Sequence, residues 1–559
     1  MNVAYQIRYI KNLLKRYGIR GLFYKTLERS KSPMLEYTKC YARYLPSEEE
    51  LASQRMQTFS YMPLVSIVVP TYETPKQYLK ELLDSVESQS YVNWELCLAD
   101  GSKTAAVEQT VAEYAAKDIR IRYQRLKKNG GISENTNSGF AMAKGEYIAL
   151  MDHDDLLAAN ALYEMVKCLN TSYSKEERMW AMIYSDEDKI NGNGSVHSRP
   201  HFKPDFNLEF LRHNNYFCHF LLFSSKLLQE TKGLNKAMDG AQDYDFVLRC
   251  IDAGAIVKHV PKILYHWRIH EGSTAGNSED KAYAFDNGCR AIEAHLKRSG
   301  EEGHAKVTEN LGVYRVSYRL KGRYDITVFG EDEKQLLSIR RYYQNLSFEK
   351  KEYSFHICYK KVNSLLDGIE KDRMGDYILY IQKGIKIKAE GLLETLVGNC
   401  QHMRTAAVGV KILTRKKRVA SCGYTYDENG CLIPFNSGIP AQYKGYFLHA
   451  AIPKNVSAIS FGCVMFRRDA LETVGGLDPA LTGIYQEADC CFRLSEHGYQ
   501  IVVIPEVTAV QYGKEKTEEK KEPLQLFFER WKQKFLVPDP CYNSNLSLKV
   551  NHTYAMKKM

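Results

Sequence analysis

This chain of 559 residues lacks three features, and each absence narrows its class. It contains no run of 18 apolar residues, so the sequence predicts no transmembrane helix. Its N-terminus has no short apolar core followed by a small-residue cleavage site, so we expect no signal peptide. Its 14 Cys residues include no Cys-x-x-Cys pair, which favours reduced thiols over a disulfide framework or a zinc site. These absences together predict a cytoplasmic protein.

The composition is that of a soluble globular protein. Hydrophobic residues make up 44% of the chain and charged residues 26%, which excludes a disordered or fibrous class. The length predicts two or three domains, each large enough to bury a full core.

Most of the positive charge lies at the N-terminus. Residues 1–44 contain ten Lys or Arg against two Glu, while the whole chain carries a net charge of +10. Tyr, Leu and Phe residues separate these charges, a pattern typical of a basic amphipathic helix on an anionic membrane surface. The alternative is a helix that packs on the protein body. No nucleic-acid-binding motif accompanies the charge, so we expect no nucleic-acid partner.

One stretch combines a predicted strand with a cluster of acids. Tyr147 to Met151 is a short apolar run that favours a buried central strand. In open α/β sheets, ligands bind at the carboxyl ends of such strands. A helix cap needs one Asp, whereas two aspartates that flank one residue suit a divalent cation in contact with a diphosphate. The side chains that follow the strand are Asp152, His153, Asp154 and Asp155.

Strand and helix patterns alternate before this stretch. Apolar runs at 64–70, 94–99 and 119–123 predict strands. Apolar residues at helical spacing within 79–86, and the segment 133–143, predict helices. This alternation indicates a mostly parallel α/β sheet.

The sequence then repeats, which predicts a second copy of the same domain. The second copy has Gln382, Lys383 and Gly384 where the first has Asp152, His153 and Asp154. It is also shorter, so that one strand and a glycine turn are missing. We therefore expect the second copy to keep the scaffold without the acids. The paired segments are 145–151 with 375–381, 232–235 with 475–478, and 242–249 with 486–493.

Taken together, these motifs resemble the inverting GT-A glycosyltransferases of family 2. The segments 184–189 and 202–205 are similar to a subgroup with two tandem family-2 domains, which includes bacterial rhamnosyltransferases and other cell-surface polysaccharide enzymes. The resemblance implies two tandem, Rossmann-like GT-A domains of mostly parallel sheet, the second degenerate. The motifs that carry it are residues 68–73, 100–102, 131–137, 145–155, 242–245 and 264–268.

The resemblance also implies domain boundaries. A catalytic GT-A domain at 61–275 follows a basic helical segment at 1–60. A helical linker at 276–322 leads to the degenerate second domain at 323–515, and a tail at 516–559 ends the chain.

Roles for individual residues follow from this resemblance and from the chemistry of sugar transfer. A departing diphosphate needs neutralisation by a divalent metal, Mn²⁺ or Mg²⁺. Asp154 is the expected metal ligand, and His266 matches the C-terminal histidine of the family and is expected to complete the site. The alternative for His266 is a core histidine. The resemblance places Asp100 at the nucleobase and Asp152 at the ribose. The full set expected to bind the nucleotide sugar is Thr71, Tyr72, Glu73, Asp100, Lys128, Gly131, Asn135, Asp152 and His153.

The acceptor hydroxyl needs a general base, because an alcohol is a poor nucleophile until its proton is being removed. Asp243 lies where the family places its base. The alternative for Asp243 is a helix N-cap. Asp245 is expected to be structural, because it recurs as Asp489 in the degenerate copy.

Three hypotheses of function remain open. The first is transfer of a sugar from a nucleoside-diphosphate sugar to a hydroxyl of a lipid-linked glycan acceptor at the inner face of the cell membrane, in cell-surface polysaccharide synthesis. The second is a sugar-phosphate nucleotidyltransferase, which needs a Gly-rich basic loop where residues 70–73 stand. The third is a non-catalytic scaffold. A bifunctional polymerase with two active sites is a variant of the first, because Glu487 can serve as a base.

Overall fold

The computed structural model describes residues 33–270, 282–348, 351–371, 374–512, 521–549 and 554–557. The chain divides into two compact units, a first unit of Cys40–Arg319 and a second unit that includes Leu320–Met559. Each unit contains one nine-stranded sheet with helices, which confirms the α/β class and the two sheet-containing domains. The predicted basic amphipathic helix falls largely on residues 1–32, outside the described residues.

The first unit alternates strands and helices along the chain. Its strands are β1 (Val65–Thr71), β2 (Trp94–Asp100), β3 (Ile121–Arg125), β4 (Tyr147–Leu150), β5 (Leu156–Leu157), β6 (Ala181–Asn191), β7 (His197–His201), β8 (Leu221–Ser224), β9 (Ile256–Ile269), β10 (Gly303–Val307) and β11 (Tyr314–Tyr318). Its helices are α2 (Glu48–Met56), α3 (Lys76–Glu87), α4 (Ala106–Ala115), α5 (Ile132–Met142), α6 (Ala161–Thr171), α7 (Leu208–His213), α8 (Ser225–Thr231), α9 (Gln242–Asp252) and α10 (Ala282–Arg298), while α1 (Pro33–Cys40) precedes them at the unit boundary.

The predicted strands and helices of the first unit form because their apolar residues are buried. Every residue of β1 and β2 is buried, as a central parallel strand requires. The apolar positions of α3, namely Leu79, Leu82, Leu83 and Val86, are fully buried against the sheet. Burial of each such side chain is worth about 1.5–3 kcal/mol relative to exposure, which fixes α3 on this face.

Parallel pairing brings three strand ends together. Strand β1 pairs in parallel with β2 on one side and with β4 on the other. The sheet order is β3-β2-β1-β4-β8-β6-β9-β5, and β8 runs antiparallel to both of its neighbours. The carboxyl ends of β1, β2 and β4 therefore lie at one edge, where Thr71, Asp100 and the acids after β4 meet.

The second unit repeats this topology. Its strands are β12 (Gly322–Gly330), β13 (Tyr353–Lys361), β14 (Tyr377–Ile381), β15 (Ile385–Ile387), β16 (Thr405–Thr414), β17 (Val419–Ser421), β18 (Tyr424–Tyr426), β19 (Leu432–Pro434), β20 (Lys454–Asn455), β21 (Cys463–Arg467) and β22 (Gln500–Gln511). Its helices are α11 (Glu333–Gln344), α12 (Leu365–Lys371), α13 (Leu392–Cys400), α14 (Arg468–Thr473), α15 (Ile484–Glu496) and α16 (Lys521–Trp531).

The strand order in the second unit is β13-β12-β14-β21-β16-β22-β15. It matches the first sheet position by position, with one exception. Strand β13 stands where β2 does, and among the described residues no strand takes the place of β3. The missing strand that the shorter spacing predicts is therefore confirmed.

The last helix packs within the second unit. The Trp531 indole N–H donates to Asp489 at 3.1 Å, and Arg530 forms ion pairs with Asp489 and Asp478. Residues of the predicted tail thus complete the core of this unit. Among the described helices of the chain, none combines the length and apolar character that a membrane crossing needs.

The two units share one structural device. In α9, Arg249 pairs with Asp245 at 2.8 Å and donates to the carbonyl of Gly233 in the preceding loop. In α15, Arg493 pairs with Asp489 at 2.8 Å and donates to the carbonyl of Val474. The same Asp–Arg pair therefore occurs in the copy without the acids, which favours the predicted structural role of Asp245.

Candidate active site

Asp100, at the end of β2, anchors the loops around the strand ends. It is fully buried, and both its oxygens accept hydrogen bonds. Thr71 Oγ1 donates at 3.0 Å and Ser102 Oγ at 2.6 Å to Oδ1, while the Tyr123 hydroxyl donates to Oδ2 at 2.7 Å. Because the Asp100 side chain is fully buried, a nucleobase contact with it requires a neighbouring group to move, and that role stays a prediction.

Glu73 ties the loop after β1 to the loop after β2. Its Oε1 accepts the Lys103 N–H at 2.7 Å, and its Oε2 accepts the Thr104 hydroxyl at 2.8 Å. These bonds lower the pKa of Glu73. Its φ of 48° is left-handed, which costs a non-glycine residue roughly 1–2 kcal/mol. The charge-assisted bonds offset that cost, and they hold the two loops together. The neighbouring Tyr72 is exposed.

The glycine turn before α5 is internally bonded. Gly131 has a φ of 90°, which a glycine adopts without strain. The Gly130 N–H donates to Asn135 Oδ1 and the Gly131 N–H to Asn129 Oδ1, both at 3.0 Å. These N–H groups are used within the turn, so a phosphate contact here depends on the Lys128 side chain. Lys128 lines an open groove of about 590 Å³.

The three acids after β4 have different surroundings. Asp155 is fully buried, its Oδ1 accepts the Arg268 N–H at 2.7 Å, and its Oδ2 accepts the Tyr265 hydroxyl at 2.6 Å. Burial raises the pKa of Asp155 well above its usual range. Asp155 therefore joins the end of β4 to β9.

Asp152 faces the cleft. Enclosure in the cleft, with the nearby charges of Asp154 and Asp243, raises the pKa of Asp152 to about 7. His219 Nε2 lies 3.6 Å from Asp152 Oδ2. His153, on the other side, contacts the Thr74 hydroxyl at 3.0 Å through Nδ1, and burial lowers the pKa of His153. The cleft thus concentrates negative charge at its acidic end.

The histidine beside Asp154 is His270. Its Nε2 lies 2.7 Å from Asp154 Oδ2. The predicted ligand His266 instead contacts Asp188 Oδ1 through Nδ1 at 2.6 Å, in the protein interior. His197 occupies the second oxygen of Asp188 at 2.7 Å. Residues 266, 268 and 270 are two positions apart, so a strand pattern places their side chains on one face. The sequence alone does not show which histidine reaches Asp154.

The residues around Asp154 suit a divalent cation. A carboxylate and an imidazole within 2.7 Å of each other offer oxygen and nitrogen donors that Mn²⁺ accepts. The charges of Asp154 and Asp243 act on Asp152 in addition to its desolvation, and a cation relieves such repulsion. Two further groups have ligand atoms within 4.8 Å of one another among the described residues, Asp152–Asp155–His219 and Asp188–His197–His266.

Asp243 lies in the first turn of α9. The N-cap of this helix is Ala241, so Asp243 is not the cap. Asn215 Nδ2 donates to Asp243 Oδ2 at 2.9 Å, and burial raises the pKa of Asp243. The field of Asp243 on Asp152 shows that the two acids are neighbours. Asn215 and His219 escaped prediction, because they lie in a loop without a recognisable motif.

Comparison with known proteins finds a family match within the first unit. Residues 66–231 match Glycosyl transferase family 2. An uncharacterised protein of Sinorhizobium fredii is 30% identical over 536 residues, which cover 88% of this chain and 58% of that protein. An O-antigen biosynthesis protein of Myxococcus xanthus is 27% identical over 508 residues, which cover 85% of this chain and 39% of that protein.

A shorter match is to hyaluronan synthase of Pasteurella multocida, 28% identical over 235 residues, which cover 42% of this chain and 23% of that protein. The chain spans less than two thirds of the length of each of these relatives. The matched segment contains β1, β2, β4 and the acids that follow them. The chain therefore contains a glycosyl transferase family 2 domain at residues 66–231.

Proposed function

We propose that the first unit is an inverting glycosyltransferase. It transfers a sugar from a nucleoside-diphosphate sugar to a hydroxyl of a glycan acceptor. The observation that carries this proposal is that Asp152 and Asp154, which follow strand β4 of a family 2 domain, lie near Asp243, since the charges of Asp154 and Asp243 both act on Asp152.

Asp154 and His270 are the proposed ligands of Mn²⁺ or Mg²⁺, with Asp152 on the ribose side. When bound, the cation neutralises the charge that develops on the departing diphosphate. Among the chain's own residues, Lys128 offers an ammonium to the phosphates. Asp100 and Glu73 keep the loops of the nucleotide subsite in shape through the bonds described above.

Asp243 is the proposed general base. Asn215 Nδ2 donates to one oxygen of its carboxylate, and the acceptor hydroxyl is proposed to approach this carboxylate. Burial raises the pKa of Asp243, and a more basic carboxylate accepts a proton more readily. Attack by the activated hydroxyl on the face opposite the diphosphate inverts the anomeric carbon.

We infer a cell-surface polysaccharide as the setting, with a lipid-linked acceptor at the inner membrane face. The name of the Myxococcus xanthus relative, an O-antigen biosynthesis protein, supports this class of product. The basic residues within 1–44 are suited to an anionic leaflet.

The second unit is proposed to bind the acceptor or to orient the first unit, without a metal. Gln382 and Lys383 follow its strand β14, and the Lys383 N–H donates to Glu331 at 3.0 Å. A lysine in place of the acids repels a cation. The alternative is a polymerase with a second active site, in which Glu487 acts as a base.

A panel of nucleotide sugars tests the function. Full-length protein, with and without Mn²⁺ or Mg²⁺, is incubated with each donor, and release of nucleoside diphosphate is measured. We expect metal-dependent release from one donor class and its loss in Asp154→Ala, whereas Asp376→Ala, an exposed acid of the second unit, serves as the matched control. Pyrophosphate release from a nucleoside triphosphate and a sugar phosphate would favour a nucleotidyltransferase. No turnover with any donor would favour a scaffold.

A further inference from the structure

A buried ion pair lies beneath the loop Asn215–His219, apart from the residues assigned to the reaction. Lys203 is fully buried, and its Nζ donates to three backbone carbonyls, at 2.7 Å for Ser185, 2.7 Å for Phe217 and 2.6 Å for His219. Glu187 Oε2 lies 3.2 Å from the same Nζ. The Lys203 ammonium therefore donates hydrogen bonds to two carbonyls of the loop.

Glu187 holds the loop from the same side. Its Oε2 also accepts the His219 N–H at 3.2 Å, and its Oε1 receives Lys189 Nζ at 3.1 Å. Although burial opposes ionisation, the ammonium groups of Lys189 and Lys203 keep the pKa of Glu187 well below its usual range. Both side chains of the pair are thus bonded to the loop backbone.

The opposite side of the loop contacts both acids of the cleft. The His219 ring stacks on Tyr265 with centroids 4.6 Å apart, and its Nε2 lies 3.6 Å from Asp152. Asn215 donates to Asp243 at 2.9 Å. One short loop therefore sets the position of groups beside the donor subsite and beside the proposed base.

We propose that Lys203 and Glu187 are positioning residues, which hold the loop Asn215–His219 against Asp152 and Asp243. The irregular backbone of this loop has carbonyls that no sheet partner satisfies, and buried carbonyls need a donor. Charge-assisted bonds to one ammonium fix them more tightly than neutral bonds do. The role assigned to the pair in the reaction rests on the proposed function.

The first test compares two buried lysines in the full-length protein. Lys203→Met removes the ammonium, and Lys454→Met is the control, because Lys454 is also buried and bonded, to the Tyr554 hydroxyl at 3.2 Å, in the second unit. Misplacement of catalytic groups by about 1 Å can cost ~10²-fold in rate. We expect Lys203→Met to lower kcat at least ~10-fold, and Lys454→Met to leave kcat and the donor KM near wild type.

A double-mutant cycle separates positioning from general destabilisation. If Lys203 acts through the loop, Lys203→Met combined with Asn215→Ala lowers kcat little further than the worse single variant. Multiplicative losses in the double variant, or equal losses in Lys203→Met and Lys454→Met, would overturn the proposal. Should Lys203→Met fail to fold, Glu187→Gln keeps the shape of the pair and is expected to change kcat in the same direction.

Amide hydrogen exchange gives a readout that does not depend on turnover. Peptides that cover residues 215–220 should exchange faster in Lys203→Met than in wild type and remain unchanged in Lys454→Met. Unchanged exchange in Lys203→Met would refute the positioning role even if the protein is active. If wild type hydrolyses no donor, the proposed function fails, while exchange still decides whether the pair holds the loop.

Discussion

The clearest prediction from the geometry concerns two histidines four residues apart. His270 Nε2 lies 2.7 Å from Asp154, whereas His266 is buried on Asp188 at 2.6 Å. We predict that His270→Asn weakens Mn²⁺ binding and metal-dependent donor hydrolysis by at least ~10-fold, since even groups outside the coordination sphere cost 10–100-fold when removed. His266→Asn is expected to leave both within about 3-fold, because it does not face the acids.

Loss of the two imidazoles should affect stability in the opposite sense. His266→Ala removes Nδ1, so a buried oxygen of Asp188 loses its donor. The expected cost is about 1–3 kcal/mol, which lowers the melting midpoint of a unit of this size by about 2–10 °C. His270 is partly exposed, so His270→Asn should shift the midpoint little.

Calorimetric titration of these variants and wild type with Mn²⁺ measures metal binding, and differential scanning calorimetry measures their melting midpoints. The assignment of His270 to the metal site is wrong if His266→Asn loses metal binding while His270→Asn keeps it. It also fails if both variants bind Mn²⁺ as wild type does, because the Asp154 site would then lie elsewhere.

Three further predictions concern the base, the N-terminus and the second unit. Asp243→Asn should fold and bind donor but lose transfer at least ~10²-fold; because burial raises the pKa of Asp243, the acid limb of the wild-type pH–rate profile should lie above that of an exposed Asp, and near-normal turnover of the variant would remove the base role. Deletion of residues 1–32 should abolish flotation with anionic vesicles at low salt, at up to about 1 kcal/mol per basic residue, and leave donor hydrolysis intact; equal flotation of both proteins would mean that the segment packs on the body. Isolated residues 320–559, which include α16 with its bonds to Asp489, should unfold cooperatively without a rise in midpoint on addition of nucleotide sugar and Mn²⁺, whereas a clear rise would indicate a second active site.

The sequence predicts the scaffold well, because periodicity reports burial directly. The helical spacing of Leu79, Leu82, Leu83 and Val86 locates α3, and all four side chains are buried. The short spacing before Gly375 predicts the absence of a strand, which the sheet order of the second unit bears out. These features depend on local pattern and chain length alone.

The sequence predicts the site only in part, because side-chain partners depend on distant segments. His266 and His270 are four residues apart, so a strand pattern places both on one face. Only the structure shows which of them contacts Asp154. The segments 184–189 and 202–205 are recognisable as motifs, yet their role as a buried pair under a loop requires Lys203 to reach carbonyls at 217 and 219. Asn215 carries no sequence signal at all.

The most direct test of the account is an anomalous difference map from crystals of the full-length chain grown with Mn²⁺ and UDP or GDP. We predict one strong peak within about 2–2.5 Å of both Asp154 Oδ2 and His270 Nε2, with the diphosphate beside it. A peak bound instead by Asp188, His197 and His266, or at the end of β14 in the second unit, would contradict the central claim.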